Sequence, residues 1–166
     1  MIAAAVVLHL VEAGELDLDE QVGARLGAIV GAELTDPQMA TVTVRQLLSH
    51  TAGFDPYERT FFGGAADSCR AAAVRGLSRT LNNPPGAVYA YSNMNYCLLG
   101  LLVEDVTGQS FEAAAYERLL RPLDLTLTRF EVLLLLSFTR EERLPVMRLR
   151  DLLLIHGSSA TYLVDR

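Results

Sequence analysis

Apolar residues recur along this chain in blocks of helical length, separated by residues that end helices. Residues 1–13 (MIAAAVVLHLVEA) are apolar almost all round, the pattern of a buried helix, and Gly14 supplies a C-terminal stop. No capping residue precedes this helix, which is the pattern of a helix cut at its front. Leu16 and Leu18 alternate with acids between Glu15 and Glu20, an extended link into a short helix near Val22 to Ile29. Asp36-Pro37 marks a turn. Thr43 is placed to cap a short amphipathic helix, Val44 to His50, with Leu47 and Leu48 inward, and Thr51-Ala52-Gly53 closes it. Phe54 to Gly64 reads as loop, with Phe61 and Phe62 expected at a groove edge. An Ala-rich helix is predicted over Ala65 to Leu81, with Arg70, Arg75 and Arg79 on its wet side, and Asn82-Asn83-Pro84-Pro85-Gly86 breaks it. Tyr91-Ser92-Asn93 then delivers the chain to a long apolar helix, Met94 to Val106, ending at Thr107-Gly108, with Asn93 placed as its cap. Ser110 caps the next helix, Phe111 to Leu120, and Pro122 stops it.

Past Phe130 the character changes. Val132 to Leu136 is a continuous apolar run, followed by Arg-rich sequence interrupted by Pro145 and a second apolar run, Leu152 to Ile155. Two segments follow from this: residues 1–130 form one helical domain, and residues 131–166 a divergent tail. An abrupt change of this kind suggests a reading-frame shift or extraneous sequence; a basic amphipathic segment built on Arg140, Arg143, Arg148 and Arg150 is the other reading, against which Pro145 counts. A short strand pair in the tail is all the sheet expected.

Composition narrows the function classes. With 51% hydrophobic residues in 166, the chain has enough apolar content for one domain with a core. A net charge of -6 argues against a nucleic-acid partner, whose phosphates need a basic face. No apolar run reaches the roughly 18 residues of a membrane span. The front of the chain has no cationic leader pattern and turns acidic at Glu12, so no signal peptide is read and no compartment is assigned. Cys69 and Cys97 do not make a disulfide framework and are expected as small buried apolar groups. No metal or cofactor is expected: His9 has no second ligand at metal spacing, and His50 reads as a helix-end histidine whose imidazole ties down the following loop. All 14 cationic side chains are Arg. Lysine-based proton transfer or Schiff-base chemistry is therefore excluded for these residues, because a guanidinium does not deprotonate in a protein.

One series of motifs carries a family resemblance. Leu10-Val11-Glu12-Ala13-Gly14 with Leu16-Asp17-Leu18-Asp19, then Gln46-Leu47-Leu48-Ser49-His50-Thr51-Ala52-Gly53, Pro85-Gly86, Tyr91-Ser92-Asn93-Met94-Asn95-Tyr96, Val106-Thr107-Gly108-Gln109-Ser110 and Arg121-Pro122-Leu123 fall in one order. That order resembles the serine β-lactamase family, in the branch of class C β-lactamases and penicillin-binding-protein relatives, over roughly Met1 to Phe130. The resemblance implies acyl transfer from an active-site serine to water, with β-lactam, D-amino peptide or ester substrates. The serine hydroxyl is weakly nucleophilic and is activated by a Lys one helical turn on, in Ser-x-x-Lys. It gives Tyr91 the role of the proton-transfer tyrosine, and Asn93 that of the asparagine bonding the Lys and the substrate amide. Family members are often extracytoplasmic.

The departures are as informative. Aligned on Leu10 to Gly14, the Ser-x-x-Lys pair falls ahead of Met1, and the Lys-Thr-Gly or His-x-Gly element has no counterpart here. Ser137 with Arg140 is the nearest imitation of the first and cannot supply a base; Ile155-His156-Gly157-Ser158 is a chance echo of the second. The expected fold is mainly α: the helical subdomain of the β-lactamase/transpeptidase-like α+β fold, with most of the sheet missing. The expected function is a fragment of a serine hydrolase, inactive as given. The alternative is a non-catalytic helical interaction module on the same scaffold. Met1 need not be the true start; a Ser-x-x-Lys ahead of it would make the parent chain an enzyme. An apolar face left without its sheet would favour self-association.

Overall fold

The computed structural model describes residues 2–55 and 66–137, and among these the structure is helical, with no strand beyond one isolated antiparallel bridge between Gln21 and Thr43. The chain divides into two compact units, Met1–Ala115 and Tyr116–Arg166.

The first unit is arranged around one long helix. α1 spans Ile2–Glu12, α2 Gly23–Val30, α3 Val44–Leu48, α4 Cys69–Leu77, α5 Asn93–Thr107 and α6 Phe111–Ala115, with a 3₁₀ turn at Pro37–Thr41. α5 touches α1, α2, α3, α4 and α6. Its Leu98, Leu99, Leu102 and Val103 are fully buried, as are Val6, Val7 and Leu10 of α1, Leu26 of α2 and Leu47 of α3. This explains why α5 is apolar on nearly every side: a helix packed on five others has almost no wet face. Arg25 of α2 ties it to its neighbours from outside, reaching Asp105 of α5 at 2.7 Å and Glu20 at 3.4 Å.

Local chemistry sets the helix ends. Asp36 caps the 3₁₀ turn by accepting the Gln38 N–H at 2.9 Å. Thr43 begins α3 in a complete capping box, its side chain accepting from Gln46 N–H while the Gln46 side chain accepts from Thr43 N–H. α3 stops at Leu48, two residues short of the expected His50, because His50 adopts a left-handed φ of 56° and leaves the helix. Leu47 is inward as expected and Leu48 only half-buried. The Ala-rich helix is also shorter than expected: Ser68 caps α4 just before Cys69, Ser78 closes it, and Arg70, Arg75 and Arg79 are exposed. The cap of α5 is Ser92, whose hydroxyl accepts the Met94 N–H at 3.3 Å, and not Asn93, which is the first helical residue. Gly108, at φ 66°, ends it.

The cysteines correct the sequence reading outright. Cys69 and Cys97 form a disulfide that joins the first turn of α4 to α5, and Cys69 is exposed. Periodicity could not pair them, since they lie on different helices, 28 positions apart in sequence.

In the second unit the expected continuous helix from Phe111 does not persist. Tyr116–Leu120 forms a π-helical turn and Arg121–Leu123 a 3₁₀ turn with Pro122 at its start. Asp124 then turns at a φ of 53°, and the Leu125 N–H reaches back to the Leu120 carbonyl at 2.9 Å. A further helix, α7, spans Leu127–Ser137 and runs through Phe130. The expected groove-edge pair Phe61 and Phe62, the strand pair of the tail and the His156 echo lie outside the described residues.

Candidate active site

Two stretches far apart in sequence are locked together to make the site. The first is the turn His50 to Gly53 that leaves α3; the second is the breaker-rich run from Asn82 to Ser92 that leads into α5. Backbone bonds fasten them in sequence: Asn82 N–H to Gly53 carbonyl at 2.8 Å, Gly86 N–H to Thr51 carbonyl at 2.8 Å, and Ala90 N–H to His50 carbonyl at 2.9 Å. The close approach dictates the glycine. Gly53 has φ 90°, and a Cβ there would sit 2.1 Å from the Asn83 carbonyl oxygen, so no other residue fits.

His50 is the pivot of this junction. Its ring stacks on Tyr96 at a centroid distance of 5.1 Å, lies tilted against Tyr91 at 4.6 Å and meets Tyr89 edge-on at 6.1 Å. The Asn95 Nδ2 lies 3.0 Å from His50 Nδ1 and 3.2 Å from the Ser92 carbonyl. One amide nitrogen donating to both makes Nδ1 an acceptor and leaves the proton of the neutral ring on Nε2. The Ser92 N–H makes a longer approach to the same Nδ1, at 3.4 Å. Burial pushes the imidazole below its ordinary pKa, so the ring is neutral near pH 7. The sequence reading of His50 as a tether is correct in kind. What it tethers is the start of α5, 42 to 45 residues on.

Tyr91 and Asn93 come together as a pair at the front of α5: the Tyr91 hydroxyl donates to Asn93 Oδ1 at 3.0 Å. Tyr91 is 49% exposed. Ser92, between them, is 1% exposed, and Asn95 is fully buried. Alternation explains the contrast. Extended backbone at Ser92 sends successive side chains to opposite sides, and the helix that follows turns Asn95 inward. Asn95 is the residue that sequence reasoning passed over. The signal was present: a lone amide on the core side of an otherwise apolar helix needs a buried polar partner. Among the described residues no cluster of three or more His, Cys, Asp or Glu could hold a metal ion.

The chain as a whole is similar to known proteins. Residues 1–135 match the Beta-lactamase family. Over 124 residues the chain is 39% identical to penicillin-binding protein 4 of Amycolatopsis lactamdurans, covering 74% of this chain and 32% of that protein. Among solved structures, a D-stereospecific amidohydrolase from Streptomyces sp. superposes with a TM-score of 0.62 at 30% identity, over 74% of this chain and 39% of that one. The octameric penicillin-binding protein homologue from Pyrococcus abyssi superposes with a TM-score of 0.58 at 29% identity, over 74% of this chain and 29% of that one. The chain spans about a third or less of the length of the curated relatives it matches. The chain belongs to the beta-lactamase family, a family of serine hydrolases. Its helices are those of the β-lactamase and penicillin-binding-protein fold.

Proposed function

We propose that these 166 residues are the helical part of an acyl-serine hydrolase acting on β-lactam, D-amino peptide or ester substrates, and that on their own they do not turn such substrates over. The observation that carries the reading is the Tyr91–Asn93 pair, 3.0 Å apart at the front of α5, in a sequence with no lysine. In this reading Tyr91 moves the proton and Asn93 aims its amide at lysine and substrate. Both roles need an amine and a nucleophilic serine within hydrogen-bond reach. Neither Ser-x-x-Lys nor Lys-Thr-Gly occurs in the sequence, and arginine cannot take the proton. Incubation with a fluorescent penicillin and with a chromogenic acetate ester is expected to give no stoichiometric label and no turnover. Either signal overturns the inactivity. Sequencing the source DNA ahead of Met1 tests the other half: an in-frame Ser-x-x-Lys ending next to Met1 is expected, and its absence removes the parent enzyme.

A second reading, a non-catalytic helical module, is favoured by the way the first unit is closed: a core around α5 and a disulfide from α4 to α5. Self-association belongs to this reading, since Leu8 on α1 and Tyr89 beside the site are large, apolar and exposed. Size-exclusion chromatography with a thermal melt separates the two. A defined monomer or oligomer that melts cooperatively favours the module; aggregation without a transition favours the fragment.

A further inference from the structure

A cavity of about 370 Å³ begins beside the Asn82 end of the junction just described and reaches α4, and neither Tyr91 nor Asn93 lines it. Its floor is apolar, made by Phe54 and Met94, which are 5% and 3% exposed. Arg75 and Arg79, both exposed, also line it. Neither has an ion-pair partner among the described residues. The one carboxylate on the rim, Asp55, already has Oδ1 engaged by Asn82 Nδ2 at 2.7 Å. The walls are pinned: Leu81 N–H donates to Asp36 Oδ2 at 3.0 Å and Asn82 N–H to the Gly53 carbonyl at 2.8 Å. Gly76 lets α4 lie against the floor, since a Cβ there would come within 2.5 Å of Met94 Cε.

Both arginines sit at the C-terminal end of α4, where free carbonyls would repel an anion. Three of the last four carbonyls are occupied. Val74, Gly76 and Leu77 accept from the N–H groups of Ser78, Arg79 and Thr35 at 3.2, 3.4 and 3.5 Å. Two unpaired guanidiniums over an apolar floor, in a protein of net charge -6, make a local site for an anion with an apolar body. We propose that this cavity binds a small organic carboxylate, its carboxylate held by Arg75 and Arg79 and its apolar part seated on Phe54 and Met94. The site is independent of the hydrolase reading above.

The test uses the 166-residue chain and probes of one size and different charge: benzoate, benzyl alcohol and benzylamine, followed by ligand-observed NMR titration. Benzoate is expected to saturate with a Kd on the order of 1 mM, and the alcohol and the amine to bind at least tenfold more weakly. R75Q and R79Q are each expected to weaken benzoate about tenfold while leaving the melting temperature within a few degrees, because both side chains are exposed. The proposal is overturned if benzoate shows no saturable binding, if benzyl alcohol or benzylamine binds as well as benzoate, or if the folded R75Q/R79Q double variant keeps wild-type affinity. Should the double variant not fold, the three probes on the wild-type chain still decide.

Discussion

Tyr91 and Asn93 form an open lip at the front of α5, while His50, Ser92 and Asn95 form the footing beneath it. The lip is held by a short local bond between neighbours, with the Tyr91 ring half in solvent. The footing joins residues 42 to 45 apart in sequence, and its members are buried or half-buried. The two regions therefore answer to different physics. An exposed hydrogen bond competes with water and contributes little to stability. A buried amide without its acceptor keeps the full desolvation cost. The exposed pair is the one proposed to meet a substrate, and the buried contacts lie one layer back.

The largest effect is expected from the crosslink behind the footing. The Cys69–Cys97 bridge closes the stretch that contains the whole breaker run and the Tyr-Ser-Asn triplet. With its ends 28 positions apart in sequence, loop-closure entropy gives a loss of about 3–4 kcal/mol in a C69A/C97A double variant. The residues α4 buries are few and mostly small: Ala72, Ala73 and Leu77. Urea unfolding checks this. A loss under about 1 kcal/mol would mean that the unfolded state is already compact there.

Next comes His50. His50→Ala removes one of the two acceptors of the buried Asn95 amide and the ring that Tyr91 and Tyr96 pack on, and it puts a Cβ-bearing residue without local hydrogen bonding at φ 56°. A loss of about 2–3 kcal/mol is expected. His50→Asn, which tolerates left-handed backbone, should recover part of it. The same ring sets a pH dependence. Its folded pKa lies below the ordinary value of about 6.5, because burial disfavours the charged ring. Below 6.5 the unfolded chain binds more protons than the folded one, so its contribution is complete above that pH and is lost as pH falls toward the folded pKa. Denaturant midpoints measured from about pH 7 to pH 5 should fall more steeply for the wild type than for His50→Asn. Asp19 does not blur this window. The hydrogen bond from Arg45 holds its carboxyl below the usual value, so it titrates in stronger acid.

How much of this could be read from sequence follows from how local each cause is. Thr43 with Gln46, Gly14 and Gly108 act within a turn of their helix ends, and caps of that range are legible in a string of residues. The apolar run of α5 likewise announces a helix buried on all sides. The family order of motifs brought Tyr91 and Asn93 out together, and the structure puts them 3.0 Å apart. What stayed hidden depends on distance in sequence. The disulfide, the Asn95–His50 contact and the Gly53–Asn83 approach exist only once α3 and the breaker run are side by side. The early end of α3 is a milder case: nothing in Val44 to His50 signals that His50 takes a left-handed φ, because the turn that demands it is made by residues beyond Asn82.

A smaller effect separates the two residues that compete for the cap of α5. Ser92 is 1% exposed and accepts the Met94 N–H, while Asn93 is inside the helix and faces Tyr91. Ser92→Ala should cost about 1 kcal/mol, the usual value of a lost N-cap. Asn93→Ala should cost less than half of that, and Ala has the better helix propensity to offset the lost bond. Thermal melts of the pair check the order. The reverse order would move Asn93 out of the lip and into the footing.

The smallest effect is expected at Tyr91, the residue proposed to move the proton. Tyr91→Phe removes the hydroxyl that donates to Asn93 Oδ1 and leaves the ring against His50 in place. Because the bond is exposed, water replaces the hydroxyl on the Asn93 oxygen, and stability should change by no more than a few tenths of a kcal/mol. Tyr91→Ala also removes the ring contact and should cost about 1 kcal/mol more. The difference between the two variants isolates the ring from the hydroxyl, and a thermal melt resolves it. If Tyr91→Phe proved as costly as His50→Ala, the hydroxyl would be part of the footing and the division between lip and footing would fall.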